Sequence, residues 1–324
     1  MATVYHSKVV DKKFLAQLKF ELSSSFKGCK KIAVKMHFGE PGNNSAFTPK
    51  DIEPITDLLT EMNMDYYLYD SNVTYGGKRA DISTHKAYAK SKGFNNVETG
   101  DDFIEVKGKY LTYEVCTKLT DVDAVLVLSH VKGHVCTGFG GAIKNLGMGA
   151  LTKKTKQDIH NGGKPVFNEK CIQCSACVKC CPINGLELSD TMKHPNIKLC
   201  FGCSNCFYIC PNKAITVENA PFDILLAEGA KSAQSKFKKY YYVSEIRNIT
   251  KNCDCMSDPG IVIADDVGWV MSQDGVAIDQ AAYDLIVKQS GGVFLKNNKK
   301  KGTKQLEAAE KFGMGKRKYV LKEL

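Results

Sequence analysis

The chain of 324 residues is 43% hydrophobic and 25% charged, with a formal net charge of +10. This length accommodates two or three domains with a full apolar core, and the balance excludes disordered and fibrous classes. No window approaches the roughly 18 apolar residues of a membrane helix. Lys8, Asp11, Lys12 and Lys13 occupy the stretch where a signal peptide needs an apolar run, so a cytoplasmic protein without a membrane span is expected.

In chain order, 31–38 (KIAVKMHF) alternates and places Ile32, Val34, Met36 and Phe38 on one face of a strand. Thr48 and Pro49 read as the N-cap and first turn of a helix reaching Met62. A second strand is predicted over 66–70 and a helix over about 79–92, ending at Gly93. The unbroken apolar run 124–128 (AVLVL) is that of a central parallel strand buried on both faces. Beyond a cysteine-rich segment come a helix over 222–237, strands over 240–246 and 260–264, and a helix over 276–287. A last helix over 304–312 and an edge strand over 319–324 close the pattern. The β-α-β order predicts an α/β fold with a parallel or mixed sheet flanked by helices. Its halves are 1–166 and 219–324, the second with a basic C-terminal tail. Residues 167–218 are read as an inserted α+β module.

That insert carries eight cysteines in two copies of one spacing. Cys171, Cys174, Cys177 and Cys181 precede Pro182; Cys200, Cys203, Cys206 and Cys210 precede Pro211. A cubane [4Fe–4S] cluster needs four thiolates, three of which can come from one loop. In the two-cluster ferredoxin pattern the cysteine before the proline crosses to the other cluster. One cluster is therefore assigned Cys171, Cys174, Cys177 and Cys210, and the other Cys200, Cys203, Cys206 and Cys181. Zinc is the competing ion, but its Cys₄ sites use two separated pairs rather than a run of three plus Cys-Pro, twice over. A disulfide framework suits neither the spacing nor a reducing compartment. Cys180 stands one place out of register and reads as a non-ligand. Cys29, Cys116 and Cys136 read as isolated buried residues.

Ligands of open α/β sheets bind at the carboxyl ends of the strands. Here those ends lead into His37 to Glu40, Asp70 to Asn72, Ser129 and His130, and Asp265 and Asp266. The segment 129–149 (SHVKGHVCTGFGGAIKNLGMG) is the richest. His130 and His134 are candidate acid/base groups, since imidazole titrates near neutrality. Lys132 and Lys144 can neutralise an anion. Gly138, Gly140 and Gly141 lead into a helix whose first amides suit an anionic ligand. The segment matches neither a Walker A loop nor G-x-G-x-x-G, and its alternative is a tight turn with solvent-facing side chains. Cys253 and Cys255, flanking Asp254, read as metal ligands, a redox pair or small loop residues. His37 is a further candidate for a metal.

Much of the positive charge lies in Lys296, Lys299, Lys300, Lys301 and Lys304, and in Lys316, Arg317 and Lys318. It reads either as solvated lysine or as a docking face for an acidic redox partner. Without interleaved aromatics to stack bases it does not suggest nucleic acid.

The chain resembles a family of uncharacterised Fe–S centre proteins that join an α/β domain to a two-cluster ferredoxin insert. The likeness rests on KMHFGE (35–40), DSNVTYGGKR (70–79), the 129–149 segment, NCDC (252–255) and VGWVMSQDG (267–275). It implies two [4Fe–4S] clusters and the fold above. A fainter likeness joins His134, Gly138, Phe139, Gly141 and Lys144 to nickel-pincer lactate racemases. There a histidine acts as acid/base and a lysine carries the cofactor, and His160 falls where a nickel-ligating histidine would lie. Those racemases lack a ferredoxin module, so the likeness implies a ligand site around His134 and Lys144 rather than racemisation or nickel.

Electron transfer is the leading expectation, with two clusters exchanging electrons with a partner protein or with a small-molecule ligand of the α/β domain. The alternatives are a redox enzyme using His134, Lys144 and His130 on a small anionic substrate, and an Fe–S sensor or regulatory protein.

Overall fold

The computed structural model describes residues 1–188 and 193–324. An eight-stranded sheet runs in the order 319–323, 2–7, 268–272, 240–246, 124–130, 31–35, 65–69, 97–98. Gly268–Ser272 opposes both of its neighbours, and the remaining pairs are parallel. This is the expected mixed α/β sheet.

Alternation along the central strand decides the two layers. Ala124, Leu126 and Leu128 join Ile32, Val34, Met36 and Phe38 in one core, packed against Phe14, Leu18 and Leu22 and against Ile52, Ile55 and Leu59. These last residues belong to helices Lys12–Ser25 and Pro49–Glu61. Val125 and Val127 point the other way, into a core with Ile143, Leu146, Leu226, Ala230, Ile278 and Ala282. That side is covered by helices Ala142–Gly149, Phe222–Gln234 and Gly275–Ser290. Thr48 and Asp51 form the reciprocal cap that starts the Pro49–Glu61 helix.

The chain lays down Lys31–Lys35, Asp65–Tyr69 and Val97–Glu98 outward, then returns to the other side of Lys31–Lys35 with Ala124–His130. The connections leaving those two adjacent strands diverge, and such a switch point opens a crevice at the carboxyl edge.

Several expectations need correction. Val262–Ala264 is not a strand of the main sheet; it pairs with Ile249–Thr250 in a separate ribbon. Ile261 and Val262 are 66% and 62% exposed there, and of that run Ile263 and Ala264 reach the core. Asp265 and Asp266 are exposed, and Asp266 accepts from the Asn248 amide instead of reaching the crevice. The sheet strand in that region is Gly268–Ser272, which sequence reading passed over, as it did Ala2–Ser7 and helix Lys12–Ser25.

The glycine loop is the second correction. Helix Ala142–Gly149 starts at Gly141, but its first amides donate to Asp279, Ala142 N at 2.7 Å and Ile143 N at 2.9 Å. A Cβ on Gly141 would stand 2.3 Å from Asp279 Oδ1. The anion at this helix start is the protein's own carboxylate.

The predicted segment 167–218 includes residues 189–192, which lie outside the described residues. Its two ends are drawn together by Pro165–Phe167 pairing antiparallel with Ile215–Val217. Two five-residue helices, Ala176–Cys180 and Asn205–Ile209, each follow a left-handed serine, Ser175 or Ser204. Cys177, Cys181, Leu186, Cys206 and Ile215 make a small core of their own. The lysine tail is not uniformly solvated. Lys300 is buried, with Nζ 2.6 Å from Asp223 Oδ2 and donating to the carbonyls of Cys136 and Cys203. Lys299 donates to the carbonyls of Lys179 and Cys181.

Asp279→Ala should leave two buried amides without an acceptor and lower the unfolding free energy by about 2–4 kcal/mol. A urea titration would read this as an earlier midpoint; an unchanged midpoint would deny Asp279 its role in seating the helix.

Candidate functional site

The crevice floor is a buried ion network. Lys35, wholly buried, donates from Nζ to the Met36 carbonyl at 2.8 Å, to Asp70 Oδ1 at 3.1 Å and to Asn145 Oδ1 at 2.7 Å. Arg79 donates to Asp70 Oδ2 and to Glu40 Oε2, each at 2.8 Å. Burial opposes ionisation of Asp70, but the charges of Lys35 and Arg79 outweigh it and hold the carboxyl well below its usual range. A Cβ at Gly149 would come within 2.3 Å of Lys35 Nζ, so this lysine needs a glycine beside it. Arg79 Nε donates to His85 Nε2 at 3.3 Å, leaving His85 Nδ1 to donate to Asn72 Oδ1 at 3.2 Å. Burial drops His85 to about 3, which keeps that neutral arrangement.

Above this floor lies a cavity of about 630 Å³, whose lining includes His37, Arg79, His134, Lys144, Lys156 and His160. Asp70 is the one acidic residue of that lining, so the cavity suits a small anion. A neighbouring cavity of about 400 Å³ is lined by His37, His130, Lys132, Gly140, Gly141, Lys144, Cys253 and Asp254 among others. Lys144 lines both, and burial lowers it to about 8 although Asp254 and Asp70 pull the other way. Lys156 is likewise lowered to about 8 by burial, and donates to Ser71 Oγ at 2.8 Å.

The histidines differ in what they leave free. His37 Nδ1 accepts from the Gly39 amide at 2.9 Å, so its neutral ring carries the proton on Nε2. Burial, then the nearby Arg79, keep it far below its ordinary value. His130 has both nitrogens engaged, Nδ1 with Asp254 Oδ2 at 3.1 Å and Nε2 with the Arg247 carbonyl at 2.7 Å. His134 Nδ1 accepts from the Cys136 amide at 3.3 Å and the Thr137 amide at 3.2 Å, and lies 2.8 Å from Thr137 Oγ1. The neutral ring therefore carries its proton on Nε2. Burial and Lys144 hold His134 well below its ordinary value, hence neutral. His160 Nδ1 donates to the Phe201 carbonyl at 2.7 Å, tying the crevice to the loop between Cys200 and Cys203. Gly138 lies away from the anion path, its α-carbon facing the Lys300 carbonyl that a Cβ would meet at 2.3 Å.

Cys253 and Cys255 are joined as a disulfide. One ligand atom from each, together with one from the His134 ring, lie within 4.8 Å of one another. Lys144 Nζ stands 3.8 Å from Cys253 Sγ.

Two further cavities lie in the 165–217 segment. One, of about 360 Å³, has Cys171, Cys174, Cys177 and Cys210 in its lining; the other, of about 380 Å³, has Cys181, Cys200, Cys203 and Cys206. Backbone amides donate to cysteine sulfurs at both: Ala214 N to Cys210 at 3.2 Å, Gly185 N to Cys181 at 3.2 Å and Gly202 N to Cys200 at 3.3 Å. Cys180 lines neither cavity.

Residues 32–284 match the family described as a domain of unknown function, DUF362. The chain belongs to this family. Its DUF362 region contains the crevice network, the cysteine-rich segment and the Cys253–Cys255 loop. No curated protein matches the chain. Among solved structures, a Thermotoga maritima protein is similar over 93% of this chain and 59% of its own, at 10% identity and a TM-score of 0.45. The lactate racemase apoprotein of Thermoanaerobacterium thermosaccharolyticum is similar over 76% of this chain and 51% of its own, at 11% identity and a TM-score of 0.38. The chain spans less than two thirds of the length of either.

Lys35, Arg79, Lys156 and Asp254 are site residues that sequence reasoning passed over. Lys35 gave a signal, a charge inside an alternating strand where an apolar or solvated residue is usual. Among the described residues, no helix is long and apolar enough to cross a membrane.

Lys144 should titrate near pH 8, read by ¹³C NMR of the reductively methylated protein against the unfolded chain at about 10.5. Because the folded value is the lower, the unfolded chain holds more protons between those limits, and this lysine's contribution to stability rises with pH across them. A midpoint above 10 would mean that the crevice around it is wet.

Proposed function

We propose that this DUF362 protein is an iron–sulfur electron-transfer protein, in which two [4Fe–4S] clusters exchange electrons with a ligand or partner at the α/β crevice. The observation that carries the reading is the partition of eight cysteines between two cavities. Each cavity takes three from one motif and the cysteine before the proline from the other, which is the crosswise pattern of two-cluster ferredoxins. The donor set fits the group: four sulfurs per cavity, each set with a backbone amide aimed at a sulfur. A pair of such clusters supplies reversible one-electron transfers, with potentials set by hydrogen bonds to sulfur, charge and exposure.

The chain's own residues would do the rest. Cys171, Cys174, Cys177 and Cys210 would hold one cluster, and Cys181, Cys200, Cys203 and Cys206 the other. Lys299 and Lys300 place positive charge against the carbonyls of Cys181 and Cys203, which favours a more negative cluster. His160 links the Cys200–Cys203 loop to the crevice lining.

The second reading, a redox enzyme acting on a small anion, is favoured by the lining of the crevice. Lys144 and Lys156 would hold the anion, and His134, with its proton on Nε2, would deliver it. His130, engaged on both nitrogens, would position the Asp254 loop.

Anaerobic purification should yield about eight iron and eight sulfide per chain, with a reduced-cluster EPR signal. Cys181→Ala and Cys206→Ala should each remove about four iron, and the double variant no more than either alone. Colourless protein containing only zinc would end the proposal. His134→Ala should leave iron unchanged; it should abolish turnover under the enzyme reading and leave partner reduction intact under simple electron carriage.

A further inference from the structure

The Cys253–Cys255 loop has no part in holding the clusters, yet the fold fixes it firmly. The Glu40 amide donates to the Asp254 carbonyl at 2.8 Å, Tyr75 Oη to the Cys255 carbonyl at 3.0 Å and Asn43 Nδ2 to the Met256 carbonyl at 2.8 Å. Asp254 turns its carboxylate to His130 and, more loosely, to Lys132. The cysteines flanking it are joined beside the crevice. There Cys253 lines the smaller crevice cavity and Cys255 the larger, so their sulfurs stand between the two.

His134 is held just as firmly against the same sulfurs. Its Nδ1 accepts from the Cys136 and Thr137 amides and stands 2.8 Å from Thr137 Oγ1. Contacts at one ring nitrogen orient the other toward a ligand. Two sulfurs and one imidazole nitrogen within 4.8 Å of one another form a soft donor set, for which zinc-type ions are the fitting choice. Three protein donors leave the fourth position of a tetrahedral ion for water or a ligand oxygen. The adjoining cavity, lined by Arg79, Lys144 and Lys156, would present an anionic ligand to that position.

We propose that His134, Cys253 and Cys255 form a redox-gated site for a soft divalent cation of the zinc class, closed by the disulfide and opened by its reduction. Opening takes two electrons and two protons from a dithiol donor, which becomes a disulfide itself while Cys253 and Cys255 become thiols. Cation binding then releases the two thiol protons, since thiolates are the ligands, and the Nε2 proton of His134 passes to Nδ1, where Thr137 Oγ1 can accept it. The gate is independent of whether the chain relays electrons through its clusters.

The test uses the anaerobically purified protein with its native iron. A phosphine reductant opens the disulfide, being oxidised to the phosphine oxide with water as the oxygen source. After anaerobic desalting, Co²⁺ alone is titrated. One equivalent should bind, with thiolate-to-cobalt charge-transfer absorption and no loss of iron, and Zn²⁺ should displace it. Protein left in the disulfide form should bind at least ~100-fold more weakly, as should Cys253→Ser, Cys255→Ser and His134→Ala, whose iron content and unfolding midpoint report an intact fold. Cys29→Ser should behave as the unaltered chain. Equal cobalt uptake by Cys255→Ser, or by the disulfide form, would overturn the site. If the iron stoichiometry is wrong the electron-transfer reading fails by itself, because the difference in cobalt uptake between the unaltered chain and Cys255→Ser still reports on the gate.

Discussion

Lys35, Asp70 and Arg79 meet fully buried at the carboxyl edge of the sheet, and the crevice is organised around that contact. Charges this deep are costly to desolvate, and they stabilise one another only when the geometry is complete. The two cations share one carboxylate, with Glu40 taking the second face of Arg79 and Asn145 the remaining reach of Lys35. Glu40 follows strand Lys31–Lys35, Asp70 and Arg79 both follow Asp65–Tyr69, and Asn145 lies on the Ala142–Gly149 helix, so two strand-end loops and that helix must be in place together. The crevice is thus part of the folded core.

From this constraint the uneven roles of the crevice side chains follow. Arg79 and Lys35 have their charge neutralised within the protein, and His130 is tied on both sides. Lys144 and His134 have few competing partners, and burial weakens the hold of each on a proton. Free chemistry is concentrated in a small group beside the sulfurs of Cys253 and Cys255. The glycines ahead of Lys144 serve close packing, against Asp279 at Gly141 and against the Lys300 carbonyl at Gly138.

Much of the fold was legible because burial writes periodicity into a strand. The run 124–128 and the alternation of Ile32, Val34, Met36 and Phe38 both reported their true surroundings. The edge strand and the capped helix after Thr48 were equally readable. Gly268–Ser272 was not, because an antiparallel strand needs no helical crossover to announce it. The exposed ribbon strand Val262–Ala264 looked the more apolar of the two. At the site, His134, Lys144 and the Cys253–Cys255 loop stood out as dense polar or sulfur-bearing motifs. Arg79 and Lys156 did not, since a lone charge in sequence carries no sign of its burial. The lysine tail was legible as charge but not as the contact it makes, because Lys300 finds Asp223 only through the tertiary fold.

The strand Ala2–Ser7 lies between Gly268–Ser272 and Tyr319–Glu323. During synthesis it precedes both partners by more than 250 residues and stays unpaired until they are made. Until then its backbone edge is open to water and to other nascent chains. Completion of the sheet is therefore a late, long-range event, and translation arrested anywhere before residue 268 releases a product with an unpaired first strand.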